Sequence, residues 1–175
     1  MVKQKETKPS QVVIFVEGDT DEILFKALIE YFQNEYLPEA KKKGFQIQTI
    51  CCSYDTDVFE VRNPLMVNWD TLRKTVKRMG ILEFIQLGIR SSIEDWLLSD
   101  MEGICRYLNL VTIPKSLKGN NGNAKLTDLY GHAKKVYQKG YQTKELVDAL
   151  RMEIIRKKHA DDLSELEKAL NVTIQ

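Results

Sequence analysis

The fold is decided by one segment near the start of the chain, Val12–Glu22, with the sequence VVIFVEGDTDE. Its first residues are apolar and mostly β-branched, which predicts a strand buried on both faces of a parallel sheet. Gly18 allows the chain to turn, and from Ile23 onward the apolar residues recur at helical spacing. Glu17 therefore stands at the carboxyl end of a strand, where open α/β sheets place their ligands.

The composition is that of one ordinary globular domain. The chain has 175 residues, of which 43% are hydrophobic, and this suffices for a core of normal size. No stretch approaches the ~18 apolar residues of a membrane span, and residues 1–10 form a charged tail unlike a secretory signal. We therefore expect a cytoplasmic protein with no membrane partner. We interpret the cysteines, Cys51, Cys52 and Cys105, as buried reduced thiols. The chain has only two histidines, which is too few for a histidine-rich metal site.

Strands and helices alternate along the first two thirds of the chain. We expect a second strand over 45–52, a short helix over 68–79 that stops at Gly80, a third strand over 81–89, and then a helix, capped by Ser91 or Ser92, with an apolar face up to Leu108. Such alternation implies parallel crossover units. The predicted fold class is α/β, a parallel sheet flanked by helices.

The last third of the chain is predicted to be helical. Residues 118–123 read as a turn-forming loop. Apolar stripes then predict one helix up to Gly140, a second from near Thr143, and a third from Asp162, whose spacing to Glu165 matches a capping box. We accordingly divide the chain into an α/β core, residues 11–114, and a helical extension, residues 115–175, with one compact domain overall as the alternative.

Charge is unevenly distributed, although the net charge is only +1. The stretch from Arg106 to Lys158 carries 12 Lys or Arg residues against 4 Asp or Glu residues. One interpretation is a set of solvated helix faces. The other is an electrostatic footprint for the phosphates of DNA or RNA. This second interpretation assigns nucleic-acid contacts to Lys115, Lys118, Lys125, Lys134, Lys135 and Lys139.

Acidic residues follow each of the three predicted strands, in the pairs Glu17 and Asp21, Asp55 and Asp57, and Glu94 and Asp95. Carboxylates within ~4–6 Å of one another repel and raise each other's pKa, so a bound Mg²⁺ or Mn²⁺ ion is the natural means of keeping them ionised. We expect at least four of these carboxylates to converge, with little lysine or arginine nearby. For a single acid such as Asp95, a place at the start of a helix is the alternative explanation.

Two motifs resemble the Toprim domain of topoisomerases, primases and related nucleases. Glu17-Gly18-x-Thr20-Asp21, at the end of a hydrophobic strand, is similar to the glutamate motif of that family, and Asp55-x-Asp57 is similar to its aspartate motif. The segment Ile93–Leu98 resembles the helix in which small stand-alone members of the phage-defence and overcoming-lysogenization-defect branch place a further glutamate. This resemblance covers residues 12–108 and implies a Toprim-like parallel sheet; the run Tyr137-x-Lys139-Gly140 is only vaguely similar to the helical end of such proteins.

The chain departs from the Toprim pattern in two respects. Many Toprim enzymes carry a third alternating aspartate, where this chain has Phe59 followed by Glu60. The sequence also contains no Gly-x-x-x-x-Gly-Lys-Ser/Thr phosphate loop, no zinc finger and no tyrosine-bearing strand-passage domain. Topoisomerase and primase activities are therefore not expected.

The resemblance implies a function and a role for each acidic residue. Glu17 would act as general acid/base or metal ligand, Asp55 and Asp57 would hold Mg²⁺ or Mn²⁺, and Asp21 and Glu94 would complete one or two metal positions. The implied activity is cleavage of phosphodiester bonds in DNA or RNA, in phage defence or nucleic-acid processing, which needs carboxylates but no histidine or cysteine nucleophile.

The alternative function is that of a catalytically weak or inactive subunit, which binds nucleic acid or a partner protein such as an ATPase or a toxin. A homo-oligomer is compatible with either function. Serine catalysis is not expected, because Ser53 and Ser99 lack a convincing histidine partner. Trp69 and Trp96 are interpreted as packing residues rather than as stacking platforms for bases.

Overall fold

The structure is a computed structural model, and it describes residues 10–35, 46–55, 68–81, 83–170 and 172. The strands are β1 (Ser10–Phe15), β2 (Gln46–Asp55) and β3 (Glu83–Ile89). The α-helices are α1 (Asp19–Glu35), α2 (Trp69–Arg78), α3 (Ile93–Leu97), α4 (Met101–Tyr107), α5 (Gly122–His132), α6 (Lys144–Ala149), α7 (Met152–Lys158) and α8 (Ala160–Ala169). Short 3₁₀ turns occupy Leu98–Asp100 and Tyr141–Thr143. Within these residues no helix is long and apolar enough to cross a membrane.

The three described strands form a parallel sheet in the order β1-β2-β3, with helices packed against it. This confirms the predicted α/β class. In the register of the sheet Ile14 lies beside Cys51, which lies beside Ile85. All three strands end at one edge, and β2 continues past the end of β1 as far as Asp55.

One expectation about β1 is wrong. The sequence predicts burial on both faces, but β1 is one of the two edge strands of the described sheet, Val12–Ile14 are only partly buried, and Phe15 is 55% exposed. A short apolar run has the same appearance in a central and in an outer strand, so the pattern alone does not distinguish them. The cysteines are free thiols, as interpreted, although Cys52 is only partly buried.

Residues from both predicted parts of the chain form one hydrophobic core. In α1, Leu24 and Leu28 are fully buried one turn apart, and in β3 alternate residues from Ile85 to Ile89 are buried. Helix α8 packs against β3, α6 against α1, and α5 against α3. The division of the chain at residue 114 stays a prediction, but Leu126 and Leu163 belong to the same core as α1.

The helix expected after β3 is interrupted. Helix α3 ends at Leu97, and α4 begins at Met101 after a 3₁₀ turn. The interruption has a clear cause, because the carboxylate of Asp100 accepts a hydrogen bond from the backbone N–H of Gly103 at 3.0 Å and so caps α4. Ser92 is the N-cap residue of α3, but its hydroxyl donates to the carboxylate of Asp95 rather than capping the backbone.

Two further boundaries differ from the prediction. The end of the expected 118–123 loop is the start of α5, where Asn121 accepts from the backbone N–H of Ala124. Helix α8 begins at Ala160, so Asp162 lies inside its first turn and the expected capping box is wrong.

The helix expected to reach Gly140 ends at His132. Lys134 has φ +56°, and the N–H groups of Lys134 and Lys135 donate to the carbonyls of Gly131 and Tyr130, which is the Schellman pattern of a helix end. Gly80 (φ +81°) ends α2 in the same way, as the sequence predicted. At the end of α5 the left-handed residue is Lys134 rather than a glycine, so the sequence did not indicate that the helix stops there.

Candidate functional site

Two of the predicted site residues, Glu17 and Asp21, follow the carboxyl end of β1. The chain turns at Gly18, whose carbonyl accepts the first hydrogen bond of α1 from the backbone N–H of Glu22. Asp21 lies in the first turn of that helix and is 7% exposed, whereas Glu17, just before it, is exposed. The charge of Glu17 is close enough to Asp21 to raise the pKa of Asp21.

Glu94 enters the same site from α3 and is 1% exposed. Helix α5 holds this part of α3 in place through a close backbone contact at Gly122. A Cβ atom on Gly122 would lie 2.5 Å from the backbone nitrogen of Asp95 and 2.8 Å from the carbonyl carbon of Glu94. Only glycine permits this approach, so the first residue of α5 fixes the position of Glu94.

The irregular segment after α5 closes the site on the other side. Nζ of Lys139 lies 2.8 Å from Oε1 of Glu94, and the hydroxyl of Tyr137 donates to the same oxygen at 3.5 Å. The backbone N–H of Gly140 donates to Oγ1 of Thr20 at 2.9 Å, which ties this segment to the start of α1. The expectation of little lysine near the acids is therefore wrong.

Two carboxylate oxygens in this site are left unsatisfied. Oδ1 of Asp21 and Oε2 of Glu94 are buried and have no hydrogen-bond partner within the described part of the chain. The third such atom is the indole nitrogen of Trp96, a donor that could not bind a cation. Unsatisfied buried polar atoms are rare, and each calls for an explanation.

The electrostatics of Asp21 agree with an excess of negative charge. Burial and, to a smaller extent, the charges of Glu17 and Glu94 raise the pKa of Asp21 to about 6, although a backbone hydrogen bond and Lys139 act in the opposite direction. Burial and Glu94 likewise raise the pKa of Tyr137, so its hydroxyl remains a donor. The positive charge of Lys139 therefore offsets only part of the negative charge of the acids around it.

The atoms of Glu17, Asp21 and Glu94 that could bind a metal are all carboxylate oxygens, which suit a hard cation such as Mg²⁺ or Mn²⁺. The two unsatisfied oxygens, on Asp21 and Glu94, fit such an ion. The described residues alone nevertheless contain no group of three or more His, Cys, Asp or Glu side chains placed to hold a metal. Asp55 ends β2 at the same edge of the sheet, but its side chain, and the whole of Asp57, lie outside the described residues. The predicted aspartate pair stays a prediction.

The predicted nucleic-acid-binding lysines have different surroundings. Lys139 is in the acidic site, Lys125 forms an ion pair with Asp95 at 3.6 Å, and Lys135 lies over the ring of Tyr107 at 5.5 Å. The remaining three are exposed, namely Lys115, Lys118 and Lys134. Their joint action on a nucleic acid stays a prediction.

The expectation that Ser99 lacks a histidine partner is wrong. Its Oγ lies 2.9 Å from Nε2 of His159, 60 residues further along the chain, and Nδ1 of His159 lies 3.7 Å from Oδ2 of Asp162. The histidine ring is also stacked on Trp96, with 4.3 Å between centroids and 11° between planes. Because 3.7 Å exceeds a hydrogen bond, we interpret this row as a packing contact between the α3 region and α7–α8 rather than as a nucleophile.

Sequence reasoning did not find the parts of the site that come from the irregular segment after α5. Tyr137 was assigned to a helical stripe, and Lys139 to a surface for phosphates. The available signal was the run Tyr137-x-Lys139-Gly140, in which Gly140 has φ +89°. In comparisons with known proteins, no protein-family model, no curated protein sequence and no solved structure matches the chain.

Proposed function

We propose that this protein is a Toprim-like nuclease that cleaves phosphodiester bonds in DNA or RNA with the help of bound Mg²⁺ or Mn²⁺, as the resemblance to phage-defence nucleases implies. One observation carries the proposal. Two buried carboxylate oxygens, on Asp21 and Glu94, lie without a partner in the described residues, beside the exposed carboxylate of Glu17. A cation bound there would remove the cost of burying these charges.

In this proposal the cation is held by acids from the three strand ends, namely Glu17, Asp21, Asp55, Asp57 and Glu94. A bound divalent ion supplies Lewis-acid stabilisation of phosphate charge and a more acidic water. Glu17 is exposed while Asp21 and Glu94 are buried. This difference suits Glu17 for exchanging a proton with solvent, and the other two for holding the cation.

Lys139 would position the phosphate. Its side chain is 58% exposed although Nζ contacts the buried Glu94, so the ammonium group lies at the mouth of the site. An ammonium has three donors, so Lys139 retains capacity for a phosphate oxygen while it is bound to Glu94. The hydrogen bond from Gly140 to Thr20 holds the segment against α1 and limits the movement of this lysine.

The test is a cleavage assay on labelled single-stranded and double-stranded DNA and RNA, in Mg²⁺, Mn²⁺ or EDTA. Glu94→Gln and Asp21→Asn should each lower cleavage by about 100-fold or more, since each removes a ligand charge. Glu153→Gln is the matched control, because Glu153 is an exposed acid on α7. Cleavage that survives in EDTA, or in both site variants, would reject the proposal.

A second candidate function is nucleic-acid binding without cleavage. The ion pair between Lys139 and Glu94 favours it, because this lysine supplies a counter-charge that a catalytic metal would otherwise provide. Binding would then be equal in EDTA and Mn²⁺, with no turnover under any condition. Phosphate contacts by the lysines should in either case make binding steeply salt-dependent, with a slope of about 0.9 per contact on duplex DNA.

A further inference from the structure

A cavity of about 330 Å³ is lined in part by the segment after α5 that also carries Lys139. It is lined by Tyr107, Tyr130, Lys135, Val136, Gln138 and Gln142. The lining therefore offers two aromatic rings, two amides and one cation. We infer that this cavity binds one unpaired nucleobase of the strand that enters the acidic site, an inference that rests on the proposed function.

The cavity and the acidic site share a wall. Tyr137 and Lys139 both contact Glu94, whereas Gln138 between them lines the cavity. The ring of Tyr130, on the cavity side, packs edge-on against the ring of Tyr137, with 5.3 Å between centroids. A strand with its phosphate at Lys139 would therefore have a neighbouring nucleotide beside the cavity.

The lining has the chemistry that a nucleobase requires. The ring of Tyr107 is partly exposed and can stack on any base, whereas Tyr130 is only 7% exposed and backs the cavity. Each glutamine amide both donates and accepts, so Gln138 and Gln142 can pair with the polar edge of a base. A volume near the lower end of the range for small-molecule sites holds a single nucleoside rather than a base pair. The preferred substrate is accordingly single-stranded or locally unpaired.

The aromatic wall is held in place before any ligand binds. The hydroxyl of Tyr107 donates to Oε2 of Glu145 at 3.5 Å, and the ring of Tyr130 is fixed edge-on against that of Tyr137. Nζ of Lys135 lies 5.5 Å from the centroid of the Tyr107 ring, and because its side chain is exposed it can also meet the phosphate that follows the base. A preformed wall lowers the entropy lost on binding.

The test compares a short oligothymidylate with an abasic oligonucleotide of the same length, titrated into the full chain in EDTA and followed by fluorescence anisotropy. Loss of the bases should weaken binding about tenfold or more, since a stacked base contributes that much. Gln138→Ala and Gln142→Ala should weaken binding of the oligothymidylate several-fold and leave the abasic strand unaffected. Lys157→Ala, an exposed cation of α7, is the control.

Equal binding of the two oligonucleotides, or unchanged binding by both glutamine variants, would overturn the inference, as would no binding at all. The two proposals fail separately. Base-dependent binding without cleavage would retain the cavity and reject the nuclease, whereas metal-dependent cleavage with no preference for bases would reject the cavity alone. Circular dichroism of the glutamine variants shows whether each is folded before its binding is interpreted.

Discussion

Two carboxylates six residues apart, Asp100 and Glu94, are each 1% exposed, yet their surroundings are opposite. Asp100 accepts hydrogen bonds from the backbone N–H groups of Gly103 and Arg151 and from the guanidinium of Arg151. Glu94 has one lysine and one tyrosine on Oε1, and Oε2 has no partner among the described residues.

The pKa shifts of Asp100 and of Asp21, which lies near Glu94, have opposite signs. Burial alone would raise the pKa of Asp100, but the hydrogen bonds of Arg151 and Gly103 and the charge of Arg151 lower it. Beside Glu94, burial and neighbouring acids raise the pKa of Asp21 to about 6. The comparison teaches that this chain satisfies a buried carboxylate where the acid holds the fold together. The unsatisfied oxygens of Asp21 and Glu94 have no such structural role among the described residues, and the proposed cation would give them one.

The largest effect should come from the same substitution at two positions. Asp100→Asn should lower the free energy of unfolding by about 3 kcal/mol, because it removes the buried charge that pairs with Arg151 and leaves the guanidinium only the exposed carboxylate of Glu102. Asp21→Asn should leave that free energy unchanged or raise it in EDTA, because it removes a buried charge that Lys139 offsets only in part. Urea unfolding near neutral pH measures both. Equal destabilisation by the two variants would show that the contrast between the two acids is not real.

The next effect concerns pH. The pKa of Asp21 is raised in the folded state, from an ordinary value of 3.8 to about 6, so its contribution to stability is present below 3.8 and is lost as the pH rises through about 6. The loss approaches about 3 kcal/mol, since each pKa unit corresponds to ~1.4 kcal/mol. Asp100 acts in the opposite direction, because its pKa is lowered and its contribution is lost only in acid.

The measurement is urea unfolding of the wild type and of Asp21→Asn in EDTA, over a series of pH values that brackets pH 6. We expect the difference in stability between the two proteins to shift in favour of the variant as the pH rises. A difference that does not change with pH would mean that the pKa of Asp21 is not raised in the folded protein.

A smaller effect tests how α5 positions Glu94. Gly122→Ala should cost about 1–3 kcal/mol, because the new Cβ would meet backbone atoms of Glu94 and Asp95 that cannot move aside cheaply. Gly131→Ala, in the same helix, is the control. A Cβ at Gly131 meets nothing within 4 Å, so alanine should be neutral or stabilising by up to ~1 kcal/mol. Thermal unfolding gives the melting temperatures of both variants. Equal melting temperatures would argue against a tight α3–α5 contact.

The parts of this molecule that could be predicted are those with a local signal. The strands, α1 and the end of α2 at Gly80 follow from apolar periodicity and from one glycine in a left-handed position. The placement of Glu17 and Asp21 beside the end of β1 followed from the same pattern.

The parts that could not be predicted depend on contacts between distant residues or on an exception to a local rule. The residue with positive φ that follows α5 is Lys134, which carries no glycine signal. The helix stops before it, so the segment with Tyr137 and Lys139 is free to reach Glu94, more than 40 residues earlier in the chain. The pairing of Ser99 with His159 spans 60 residues. No periodicity within either segment encodes such a meeting.

The central claim is that Asp21 and Glu94 belong to a cation site, and the most direct test is titration of Mn²⁺ followed by electron paramagnetic resonance of the free ion. The wild type should bind Mn²⁺, Mg²⁺ should compete, and Asp21→Asn and Glu94→Gln should each weaken the affinity at least about tenfold. Glu102→Gln, which alters an exposed acid paired with Arg151, should bind as the wild type does. No binding at millimolar Mn²⁺, or equal affinity in the wild type and both site variants, would contradict the account.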